Sequence, residues 1–77
     1  MPRFYFDFDD DGGTFIDKDG EEFADVDAAT REAMAALGDA ARDFCRSSPG
    51  GRMAISVRSE DGPIVELSAT FEAKSLK

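Results

Sequence analysis

The chain has 77 residues, with nine Lys and Arg against 17 Asp and Glu, one cysteine, no histidine and a net charge of −8. A domain this short buries only about 60% of the surface its unfolded chain exposes, so as a monomer it encloses no large substrate cavity. The acidic balance argues against nucleic acid, whose phosphates need clustered Lys and Arg, and against anionic membrane surfaces.

Arg3 to Asp9 alternates strictly, with Phe4, Phe6 and Phe8 on one side and Tyr5, Asp7 and Asp9 on the other. That period predicts a half-buried strand. The acidic turn Asp10-Asp11-Gly12-Gly13 follows, then a short second strand over Thr14–Asp17. The glycine pair permits a tight reversal, so the two strands read as a hairpin. Asp17-Lys18-Asp19-Gly20 reads as a further turn with Gly20 in a left-handed position. Glu21 to Ala24 then leads to a helix, with Phe23 expected to pack beneath its start.

Residues 26–46 sort by helical period. Val26, Ala29, Thr30, Ala33, Met34, Leu37, Ala40, Ala41 and Phe44 fall on one face; Arg31, Ala35, Gly38, Asp39, Arg42 and Arg46 fall on the other. Asp25 is the expected N-cap, since its carboxylate can accept from the first free amides of the helix. Ser47-Ser48-Pro49-Gly50-Gly51 ends it, because Pro49 disfavours helix at Ser48. The inner face is mostly alanine, so bulk must come from the strands beneath. Cys45, on the flank of that face, is expected to be a buried structural thiol.

Strands are predicted again over Arg52–Ser59 and Ile64–Ala73, joined by the Asp61-Gly62 turn. Met53, Ile55 and Val57 face the core in the first, and Val65, Leu67, Ala69 and Phe71 in the second. The elements give one α+β domain over residues 1–77. It is a two-layer ββαββ arrangement with a four-stranded, mainly antiparallel sheet and one helix on one face. The first and fourth strands, the long apolar ones, are expected at the centre. The strand over Arg52–Ser59 is then the less protected edge, and edge pairing or stacking of outer sheet faces would give a homodimer.

The opening Met1-Pro2-Arg3-Phe4-Tyr5-Phe6-Asp7 resembles the MPRYFF-type start of a family of short proteins abundant in alphaproteobacteria and known only as a domain of unknown function. The resemblance continues through Asp17, Gly20, Glu22, Phe23 and Asp25, then Ala28-Ala29 and Glu32-Ala33. It resumes at Val57-Arg58, Asp61-Gly62 and Val65. It implies a stand-alone cytoplasmic domain of bacterial origin and carries over no catalytic residue. A single cysteine also fits a reducing compartment, and no basic-then-apolar leader or membrane-length apolar run is present.

Asp7-Phe8-Asp9-Asp10-Asp11-Gly12 matches the start of a calcium loop, with carboxylates at alternate positions and a glycine for the turn. The closing position, where a bidentate Glu belongs, falls on Lys18. Asp7, Asp9 and Asp11 are therefore the candidate ligands of an alternative, cation-binding reading. Without histidine, and with its one cysteine expected inside, the chain lacks the usual nucleophile–base pairs and zinc ligands. No catalytic residue and no cofactor is expected. Arg3 and Arg58 could form a small basic patch on the sheet. The reading with most support is a small non-enzymatic binding or regulatory module that works by protein–protein association.

Overall fold

The computed structural model describes residues 1–77. In chain order it comprises β1 (Arg3–Asp10), β2 (Gly13–Phe15), β3 (Glu21–Glu22), α1 (Val26–Ser47), β4 (Gly51–Ser59) and β5 (Gly62–Phe71). One helix packs on an antiparallel sheet of order β2-β1-β4-β5, with β3 also paired to β1. This is the two-layer α+β fold expected from the periodicities. It differs in having the two-residue β3, where Glu22 and Glu21 pair with Arg3 and Phe4.

β3 and β4 both run antiparallel to β1, so they are parallel to one another across it, and α1 joins them. The second half of the fold is thus a split β-α-β unit closed by the β4–β5 hairpin. β1 and β4 form the centre, in the register Phe6 to Val57 and Phe8 to Ile55.

β5 lies at an edge, against the expectation that it and β1 are the central pair. Pro63 is the physical reason available in the sequence. It has no N–H to give a ladder and is tolerated at an edge or a strand's first residues. The ladder is irregular nearby, with a register shift between Val57 and Arg58. β4 shows the mark of a central strand, since Met53, Ala54, Ile55 and Val57 are all buried.

The helix begins as read. Asp25 is extended, and its side chain accepts from the Ala28 amide at 2.8 Å. Ala29, Ala33, Leu37 and Ala41 are its buried residues, and they close over Phe4, Met53, Ile55, Val57 and Leu67. Small residues let the helix backbone approach the sheet, and the strands supply the volume. The helix sits over β4 and β5. Beside it, Phe23 packs at the helix start, stacking on Phe6 at 5.7 Å between centroids and tilting against Phe4 at 6.2 Å.

Cys45 is exposed, not buried. Phe44 takes the inward place, packing at 6.5 Å from the Phe71 ring, and one residue further rotates Cys45 about 100° away from it. Met34 is likewise on the open flank. No helix is long and apolar enough to cross a membrane.

Candidate functional site: the uncovered face of the sheet

The face of the sheet away from α1 is lined by alternate residues of the central strands. Cross-strand pairing brings Tyr5 opposite Arg58, Asp7 opposite Ser56, and Asp9 opposite Ala54. β5 continues the rows with Glu66 opposite Ser56 and Ser68 opposite Ala54.

At one end of this face, four residues form a closed polar knot. Arg58 Nε donates to Asp7 Oδ2 at 2.8 Å and Nη2 to Oδ1 at 3.2 Å, a forked ion pair. Nη2 also donates to the Asp17 carbonyl at 2.9 Å, and the guanidinium carbon lies 4.5 Å from the centre of the Tyr5 ring. The Asp17 amide returns a bond to Asp7 Oδ1 at 3.0 Å. The carboxylate of Asp17 accepts from the amides of Phe6, Asp19 and Gly20 at 3.0 to 3.1 Å.

That last set explains why β2 stops at Phe15 and not at Asp17. An aspartate that bonds amides two and three residues ahead makes its own turn and withdraws from the ladder. Gly20 completes the turn with φ of 68°.

The knot shifts its own titrations. The hydrogen bond from Arg58 holds the Asp7 carboxyl below its usual range, against the opposing effect of burial. Burial pushes Asp17 up, but the amides of Gly20, Phe6 and Asp19 outweigh it and the carboxyl ends lower than usual. The Asp7 hydrogen bond raises Arg58 above the ordinary arginine value.

Next to the knot lies a shallow concavity of about 280 Å³ lined by Asp7, Asp9, Thr14, Ala54, Ser56 and Glu66. Ala54, buried on β4, is its one apolar liner. Thr14 Oγ1 donates to Asp9 Oδ1 at 2.8 Å, and Arg52 reaches Glu66 at 3.3 Å. The rim is therefore acidic and already partly hydrogen-bonded.

The acidic turn Asp7–Gly12 does not close around a common point. Asp7 is held by Arg58, Asp9 by Thr14, and Asp10 Oδ1 accepts from the Gly12 amide at 2.7 Å. Asp11 is exposed beyond them. No three acidic or cysteine side chains are grouped so that they could hold a metal ion. Nor do Arg3 and Arg58 form a free basic patch. Arg3 bonds the Asp19 carbonyl at 2.9 Å and pairs with Glu22, while Arg58 is spent on Asp7.

The sequence places Asp17 in a turn but does not reveal its bonds to the Phe6 amide and to Asp7, nor the Asp7–Arg58 pair. Asp17-x-Asp19-Gly20 carried a signal, being a side-chain-capped turn. The pair carried a weaker one: two opposite charges on the polar rows of strands whose adjacency had yet to be known.

Fold and face together define a small α+β domain with one covered and one open sheet surface. The chain belongs to the family described as Domain of unknown function (DUF6894), whose profile matches residues 3–71. Among curated proteins and solved structures, nothing matches.

Proposed function

We propose that the chain is a non-enzymatic association module whose working surface is the uncovered face of the sheet. The observation that supports this most is the combination of a rigid polar knot and an acid-rimmed concavity on the two central strands. Knot and concavity share Asp7, so the rim is held by hydrogen bonds that reach β1, β4 and the Asp17 turn. A preorganised surface loses little entropy on binding. The Asp9 carboxylate, bonded only by the neutral Thr14 hydroxyl, favours a protein partner that presents lysine or arginine. The single cysteine, the resemblance to short bacterial proteins and the acidic balance fit a role in the bacterial cytoplasm.

The test is affinity capture from a bacterial lysate with three variants beside the parent chain. Asp9→Lys and Thr14→Arg alter the concavity at exposed positions, and Arg31→Glu alters the outer side of the helix. The expected result is a partner retained by the parent and by Arg31→Glu and lost by the other two. Capture that ignores Asp9→Lys and Thr14→Arg overturns the assignment to this face.

A further inference from the structure

The two edges of the sheet are built unequally. On one side β2 is three residues and β3 two, bordered by Asp9 to Asp11, Asp19, Glu21 and Glu22. Short strands and dense charge are how proteins close an edge to pairing. On the other side β5 is ten residues long and pairs only with β4, so its outward backbone groups have no partner. We propose that β5 is the seam of a symmetric homodimer, in which two copies pair β5 against β5 antiparallel to make one continuous sheet.

Four features of the chain select a second copy as the occupant. The first is spacing. Antiparallel pairing about a two-fold axis normal to the sheet leaves both helices on the same face. α1 lies over β4 and β5. Adding the partner strand at about 4.8 Å sets the two helix axes two strand spacings apart, roughly 9–10 Å, which is the separation of packed helices.

The second is the helix flank that would meet its counterpart. Connections of the β3–α1–β4 kind are right-handed, which turns the Ala36 and Ala40 flank towards β1 and the Met34 and Gly38 flank over the β5 edge. Ala36 and Ala40 pack against the core, as the middle of the sheet requires. Met34 is 57% exposed, and a Cβ at Gly38 would meet nothing within 4 Å. A methionine and a glycine on facing flanks suit close helix contact.

The third is charge. Each copy carries −8, so association is least opposed where acidic residues are fewest. Pairing about Ser68 sets Glu66 opposite Thr70 and Ile64 opposite Glu72, with no like charges facing. The fourth is compatibility: edge pairing leaves the uncovered face open, so the dimer would present two concavities side by side. The proposal goes beyond the function proposed above and stands or falls separately from it.

Sedimentation equilibrium of the full chain at hundred-micromolar concentration tests it, with hydrogen exchange as a second readout. The expected result is a mass twice the 8.3 kDa of one chain, and amides of β5 that gain protection with concentration while those of β2 do not. Gly38→Arg and Met34→Glu sit at exposed positions, so they should keep the far-ultraviolet circular dichroism and give monomers. Asp9→Lys should leave the dimer intact. A chain that stays monomeric overturns the proposal, as does a dimer indifferent to both helix variants. So does protection of β5 that appears only when a different protein is added.

Discussion

Arg58 and Asp7 are 51 positions apart in sequence, yet Nε and Oδ2 meet at 2.8 Å across adjacent central strands. Tyr5 lies beneath the guanidinium, and the Asp17 carbonyl accepts its other end. The pair thus ties β1, β4 and the loop after β2 into one unit. Arg58→Met keeps the aliphatic length over Tyr5 but leaves Asp7 without its cation. The expected outcome is a lower melting temperature for Arg58→Met and for Asp7→Asn. Because each variant breaks the same interaction, the double variant should fall by less than the two losses added. Thermal denaturation of the four proteins closes that cycle, and additive losses would show that the contact carries no coupling.

Asp7 and Asp17 also set how the fold responds to acid. Both carboxyls titrate below the ordinary aspartate range in the folded chain, Asp7 through the Arg58 hydrogen bond and Asp17 through three backbone amides that outweigh its burial. The unfolded state therefore takes up protons first as pH falls, and stability declines with it. Above the unfolded value the contribution is fully present; it is lost as pH drops through the lower folded values. The contribution of these two groups to melting temperature should be constant from neutral pH to about pH 5 and decline below about pH 4. Asp7→Asn combined with Asp17→Asn should melt lower at neutral pH and show a shallower acid slope. An unchanged slope would remove these two groups from the acid response.

Much of this was legible because it is local. The strict alternation of Phe4, Phe6 and Phe8, the Asp25 cap and the alanine face of α1 each declare themselves within a few residues. What was not legible depends on register. Nothing near Arg58 in sequence says that Asp7 will stand beside it. Length and apolar content argued for β5 at the centre, while the single Pro63 argued for an edge and was the better guide. Cys45 was misplaced for a related reason: on a helix flank, exposure depends on where the sheet ends.

Two glycines should respond to alanine in opposite senses. At Gly20, φ is 68°, and a Cβ would stand 2.7 Å from the Tyr5 ring and 2.9 Å from the Phe4 carbonyl oxygen. Gly20→Ala should cost about 1–3 kcal/mol through the left-handed backbone and the clash. Gly38 is helical with open space around it. In the monomer, Gly38→Ala should raise stability by up to about 1 kcal/mol, the difference in helix propensity. Urea denaturation of both variants checks the contrast.

Leu37 is the one large side chain among the buried residues of α1. The alanines around it cannot collapse far into the space it would vacate. Leu37→Ala should cost about 2–5 kcal/mol, a large part of the stability available to a small domain. Met34→Ala, on the exposed flank, should cost far less in the monomer. Equal losses at the two positions would mean that the helix is seated differently.

The acidic turn gives the last expectation. A calcium loop needs its alternate carboxylates free to converge on one ion. Here Asp7 is committed to Arg58 on β4 and Asp9 to Thr14 on β2, so their bonds run to opposite neighbours of β1, not to a shared centre. Binding at this turn would have to break the forked pair and uncouple the Asp17 loop. Calorimetric titration should therefore give no heat at millimolar calcium and physiological salt, and the melting temperature should not rise. If Arg58→Met gained a calcium-dependent rise that the parent lacks, the arginine would be the group that keeps the turn closed to cations. A rise in the parent itself, lost in Asp9→Ala and Asp11→Ala, would instead show that the turn rearranges around the ion.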